Sequence, residues 1–196
     1  MSHTNDSRPH GPETKPARPS LLARFVGNRK GTTVIEFAVL AIPFALLVFA
    51  ILESCISFAA QQLLTNATDD IARQVRTGQL KATDLDETTL RDKLCEKLSI
   101  MVGDSCNNAT NKYLVFDLES YDTFAAAAQV RTKKTADGDI DDTGFGVHPG
   151  GPLTKNMLRV FYKWPVMTDF MAKTMSDLKG GRKLLFATVT WQNEPF

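Results

Sequence analysis

The chain has 196 residues, 43% hydrophobic and 23% charged, with 12 Gly and 9 Pro. This is enough apolar material for a core in one or two modest domains, and it excludes a fully disordered chain, a collagen-like repeat and a multi-pass membrane protein. A net charge of +1 gives no basis for nucleic-acid binding, and three Cys with three His exclude a disulfide-built scaffold and leave little for metal or triad chemistry.

Charge and hydrophobicity are unevenly spread along the chain. Residues 1–30 hold Pro9, Pro12, Pro16 and Pro19, with six basic groups (Arg8, Lys15, Arg18, Arg24, Arg29, Lys30) against Asp6 and Glu13. Burial in such a stretch cannot offset its chain entropy, so it is expected to be disordered.

Residues 32–60 then read TTVIEFAVLAIPFALLVFAILESCISFAA, and from Phe37 to Leu52 no side chain is charged or hydrogen-bonding. With its flanks the apolar stretch reaches about 27 residues, against the ~20 that cross a bilayer. Only Glu36 and Glu53 interrupt it, one near each end. A soluble core helix would be shorter and would carry a polar face. A cleaved signal peptide would have a shorter apolar region and a small-residue cut site, of which Ser57–Ala60 is only a weak form. The segment therefore reads as a single transmembrane helix. Arg24, Arg29 and Lys30 precede it, while the first charges after Glu53 are Asp69 and Asp70. The positive-inside rule then puts the N-terminus in the cytoplasm and residues from about 61 onward outside.

At the membrane entry stands Arg29-Lys30-Gly31-Thr32-Thr33-Val34-Ile35-Glu36-Phe37-Ala38. An unpaired carboxylate entering hydrocarbon costs a few kcal/mol. Glu36 therefore either reaches back to the interface near Lys30 or meets a positive partner when helices pack. Gly31 followed by Glu36 resembles a type IV prepilin processing site. The fuller string GTTVIEFA, with Pro43 in the span, resembles the TadE family of minor pseudopilins of the tight-adherence (Flp) pilus systems. The similarity continues through Asp69-Asp70-Ile71-Ala72-Arg73-Gln74-Val75-Arg76-Thr77-Gly78-Gln79 and returns at Trp191-Gln192-Asn193-Glu194-Pro195-Phe196.

The resemblance implies that a prepilin peptidase cuts between Gly31 and Thr32 on the cytoplasmic side, where glycine leaves the scissile bond unobstructed. It implies that Glu36 contacts the new N-terminal amine of a neighbouring subunit. The implied partners are other pilin and pseudopilin subunits, the peptidase, an inner-membrane assembly platform and membrane lipid, with no nucleic acid and no cofactor. Pro43 either bends the helix or is simply tolerated, as transmembrane helices tolerate proline.

Beyond the membrane, Leu63, Leu64, Ala67, Ile71 and Val75 continue a helical period up to a stop at Gly78. A second helix is predicted from near Asp86, with Leu90, Leu94, Leu98 and Met101 as its apolar stripe and Gly103 as its end. Cys95 and Cys106 are spaced to bridge in an oxidising compartment, closing a loop for ~2–3 kcal/mol. Cys55, left over in the membrane, reads as an inert packing residue. Strands are predicted at Tyr113–Ser120, Asn156–Lys163 and Leu184–Trp191, with Gln129–Lys134 as a short edge strand. A helix is predicted over Pro165–Leu178 with Val166, Phe170 and Met171 inward, closed by Gly180-Gly181.

The Ala136–Pro152 loop carries Asp137, Asp139, Asp141 and Asp142, which invite a calcium reading. An EF-hand register begun at Asp137 puts Asp142 where the glycine belongs and His148 where the bidentate Glu belongs, so a merely solvated loop is the preferred reading. His148 is the sole histidine outside the tail and no nucleophile, zinc or P-loop motif occurs, so no enzyme is expected.

The expected architecture is α+β. A basic leader spans 1–31 and a transmembrane and stalk helix 32–78. A periplasmic pilin-like head of helices packed on a small antiparallel sheet occupies 79–196. The expected function is that of a minor pilin processed after Gly31. The competing class is an unprocessed single-pass anchor bearing a periplasmic scaffold or ligand-binding domain.

Overall fold

The computed structural model describes residues 32–106 and 113–195. The leader and Gly31 lie outside the described residues. Two compact units divide the chain, Met1–Leu47 and Val48–Phe196.

One helix, α1 (Thr32–Arg76), contributes to both units and remains α-helical through Pro43. In the first unit its described side chains are exposed almost throughout. In the second unit it acquires a buried face, which begins at Glu53 and continues through Ala60, Leu64, Ala67, Ile71 and Val75. The three- and four-residue spacing of these positions is the predicted period. Gly78, at φ 72°, turns the chain where an L side chain would be strained, and the Leu80 N–H returns to the Gln74 carbonyl.

The second helix, α2 (Glu87–Val102), has the predicted ends. The Asp86 carboxylate accepts the Thr89 N–H at 2.7 Å, and Gly103 at φ 55° closes the helix with its N–H on the Ser99 carbonyl. Leu90, Leu94 and Leu98 are buried against α1 and the sheet, with Met101 packed at the margin. Lys97 pairs with Asp70 and so ties α2 to α1.

Four strands follow: β1 (Leu114–Tyr121), β2 (Val147–His148), β3 (Lys155–Pro165) and β4 (Arg182–Gln192), in the spatial order β2-β1-β3-β4. The β1–β3 and β3–β4 pairs are antiparallel, but β2 joins β1 in parallel, with Leu118 opposite Val147. The sheet is therefore mixed rather than purely antiparallel. Alternate residues of three strands (Phe116 and Leu118, Leu158 and Val160, Leu185 and Ala187) face α1 and α2 in the main core. Each such side chain contributes roughly 1.5–3 kcal/mol on full burial.

Three expectations are corrected. Gln129–Lys134 is not a strand; only Lys134 bridges, to Ile140, because the sheet edge there is taken by β2. Pro165 ends β3 instead of starting a helix, and the helix that follows, α4 (Asp169–Met175), is one short element capped by Thr168. Val166 and Met171 are half-buried, while the Phe170 side chain lies outside what is described. The Ala136–Pro152 loop is more than a solvated excursion: Ile140 is buried and Phe145 stacks on Phe161, so the loop covers the sheet face opposite the helices. A short helix, α3 (Phe124–Ala128), capped by Thr123, adds an element that no sequence pattern announces.

Candidate functional site

In the first unit, the exposed face of α1 is almost wholly apolar: Phe37 is 72% exposed, Leu40 70% and Phe44 66%. It is the one helix among the described residues long and apolar enough to cross a membrane, and none of its most apolar 18 residues is buried. Glu36 is exposed on this helix and has no partner among the described residues. Its carboxylate sits on a surface that is otherwise suited to hydrocarbon, where a partner of opposite charge would relieve the cost of desolvation. Pro43 lies seven residues further on and leaves the Val39 carbonyl without its helical donor.

In the second unit, Glu53 behaves differently. It is 8% exposed and accepts hydrogen bonds from the Met167 N–H, the Thr168 N–H and, at 2.6 Å, the Thr168 hydroxyl. These donors open α4, so one carboxylate fastens the β3–α4 connection to α1 at the first buried position of that helix. Ser54 continues the contact through its hydroxyl to the Met175 sulfur. One turn on, the Ser57 hydroxyl is buried without a partner among the described residues. In the sequence Glu53 stands out only as a charge ending the apolar run. Its distance from any cation in the chain is the available signal that it needs hydrogen-bond donors instead.

Cys95 and Cys106 form a disulfide that pins the end of α2 to the turn preceding β1. Cys55 is free and exposed on α1. The closing WQNE motif is structural. The Trp191 indole N–H donates to Asn193 Oδ1, and Asn193 Nδ2 donates to the Gly150 and Gly151 carbonyls. The Glu194 N–H then bonds the Arg76 carbonyl, so the end of the chain closes over the end of α1.

The Asp-rich loop does not assemble a calcium cage. Asp139 Oδ2 takes the Lys163 ammonium at 2.8 Å, Asp141 accepts the Thr143 N–H, and Asp137 lies 3.5 Å from Lys179. Among the described residues no group of three or more His, Cys, Asp or Glu side chains converges. Burial pushes the Asp139 carboxyl up, but the Lys163 hydrogen bond, the Ile140 N–H and the nearby cations outweigh it and hold the group below the usual Asp value. Asp139 thus ties the loop to β3, while Asp141 bonds within the loop and Asp137 meets Lys179 at the surface. Beneath it lies a buried pair that the sequence does not reveal: Arg159 donates through Nε and Nη2 to Asp117 Oδ2 across β1 and β3, and its guanidinium lies 4.9 Å from the Phe145 ring centre.

His148 lies 2.6 Å from Glu119 at the β1–β2 edge, and that carboxylate raises its pKa above 6.5. Several clefts open on the second unit, among them one of about 220 Å³ between Arg91 and Phe145 and one of about 340 Å³ between Tyr113 and Met167.

Residues 31–73 match the family model described as TadE-like protein, about a fifth of the chain. No curated protein and no solved structure matches. The matched stretch takes in Gly31, Glu36, Pro43 and Glu53, and it covers the α1 residues of the first unit and most of those that α1 contributes to the second. Residues 31–73 are a TadE-like segment, the same stretch to which the Gly31–Ala38 resemblance points.

Proposed function

We propose that the protein is a minor pilin of a tight-adherence (Flp) pilus, required for assembly of the fibre and not for any chemical conversion. The observation that carries this reading is a lone carboxylate, Glu36, on an exposed apolar helix within the TadE-like segment. In this reading residues 1–31 are a leader removed by a prepilin peptidase after Gly31, 32–78 are the membrane and stalk helix, and 79–196 the exported head. The N-terminus faces the cytoplasm, the helix crosses the inner membrane once, and the head lies in the periplasm or on the extracellular fibre. Cleavage frees the Thr32 amine, and Glu36 of an adjacent subunit pairs with such an amine in a low-dielectric setting that offers neither group an alternative. Other pilins, pseudopilins and the assembly platform are the partners.

Co-expression with the cognate peptidase tests the reading. Intact-mass analysis should show loss of residues 1–31, and Gly31→Leu should block that loss. A chain that still begins at Met1 in the presence of active peptidase would overturn the processing step and favour an unprocessed anchor.

A further inference from the structure

The Glu53 clamp fixes a second feature at the point where α1 emerges from its apolar run. Between Glu36 and Glu53 the helix supplies the 16 uncharged residues Phe37–Leu52, ~24 Å at 1.5 Å per residue, and Val34 and Ile35 before Glu36 extend this toward the ~30 Å of a bilayer's hydrocarbon core. Glu53 is the next residue, and its carboxylate holds the backbone N–H of Met167. The Met167 side chain, 71% exposed, therefore projects at the level where the apolar run ends. Within the same unit the neighbouring helix surface is also apolar and exposed, at Phe49 58%, Leu52 52% and Phe58 67%. Lys183 lies 5.5 Å from the Phe58 ring centre, and Lys173 is exposed on α4. A large exposed apolar side chain at the end of a span, in a unit that also exposes Lys173 and sets Lys183 against Phe58, matches the boundary between acyl chains and phosphate headgroups.

We infer that the β3–α4 connection, with Met167 as its apolar point, is a membrane-contact element that seats the head directly on the bilayer interface. This rests on the reading of α1 as a membrane span. The head is then not held away from the membrane on a bare stalk. The contact fixes head orientation about the α1 axis, because Glu53 leaves the 167–168 backbone little freedom to turn away.

Site-directed spin labelling of the full chain tests this. In a Cys55→Ala background, Met167→Cys, Lys173→Cys, Phe44→Cys and Ile100→Cys are labelled singly. Each is reconstituted at high lipid-to-protein ratio in vesicles of equal parts phosphatidylethanolamine and phosphatidylglycerol. Collision with oxygen, which concentrates in the bilayer, is compared with collision with a water-soluble nickel chelate. The Phe44 label should be strongly oxygen-favoured and the Ile100 label, at a position 87% exposed on α2, strongly nickel-favoured. The Met167 label should favour oxygen several-fold over the Ile100 label, with Lys173 between them. A Met167 label as nickel-accessible as Ile100, while Phe44 stays in lipid, overturns the inference alone. A Met167 label shielded from both reagents places protein over it and also overturns it. A nickel-accessible Phe44 label overturns the membrane reading beneath it.

Discussion

Glu36 and Glu53 belong to one helix, and each interrupts the same apolar run near one of its ends. In the first unit Glu36 is exposed and finds no partner among the described residues. In the second, Glu53 is buried and holds three donors. Two identical side chains in similar local sequence thus stand differently: one organises its own unit, while the other has no partner among the described residues and, in the proposed reading, meets a neighbouring subunit. Burial and partner donors separate them, and neither can be read from local hydropathy.

The contrast can be broken most strongly at Glu53. Glu53→Ala strands the Met167 and Thr168 donors beside a cavity, and with hydrogen bonds to a charged acceptor worth about 1.5–3 kcal/mol the head should lose about 2–3 kcal/mol. Denaturant unfolding in detergent, followed by near-ultraviolet circular dichroism of Trp164 and Trp191, reads this. Glu36→Ala in the same assay should change the midpoint by less than about 0.5 kcal/mol, as for other exposed positions. Equal effects from the two substitutions would erase the distinction.

A change of similar or slightly smaller size is expected from Cys95→Ser with Cys106→Ser. Opening a loop of this length costs ~2–3 kcal/mol in the chain-entropy model, all of it in the second unit. The double variant should lower the unfolding midpoint of the head while leaving membrane insertion of α1 unchanged in an alkaline-extraction assay. Loss of insertion would mean that the head and the anchor are less independent than the two carboxylates suggest.

The smallest expected effect concerns His148. Glu119 raises its pKa above 6.5, so the pair's contribution to folding is full below about pH 6.5 and is lost as pH rises through the raised value. The pair is open to solvent, so the consequence for stability is slight. NMR titration of the His148 ring should give a midpoint above 6.5 in the parent chain and a lower one in Glu119→Gln, with Glu53→Ala leaving it in place.

The legible parts of the molecule are those specified locally. The bounds of α2 follow from Asp86 and Gly103, whose side-chain acceptor and positive φ act within one turn. β1 and β4 alternate in sequence because one face of each packs on the helices, whereas β3 is buried along nearly its whole length, between the helices and the loop that carries Ile140 and Phe145. The disulfide follows from two cysteines beside one helix end. The mixed sheet does not, because a two-residue parallel strand is too short to carry any period and is placed by the Gly146 carbonyl accepting the Leu118 N–H. Asp117 and Arg159 look like surface charges in sequence; only the loop carrying Ile140 and Phe145 turns their face of the sheet into a second core. At the candidate site, Glu36 and Pro43 stand out because the apolar run makes any departure visible. Glu53 also stands out, but its donors lie more than 110 residues away in the chain, beyond the reach of a local pattern.

The assembly role assigned to Glu36 is tested most directly by measuring incorporation into sheared pili in cells carrying the complete pilus system. Glu36→Gln removes the charge and keeps the shape of the side chain. The expected result is a chain that is processed at Gly31, retained in the membrane and folded with the parent's midpoint, yet missing from or strongly depleted in the fibre fraction. Incorporation at the parent's level would contradict the role of Glu36 as the carboxylate that meets a neighbouring subunit.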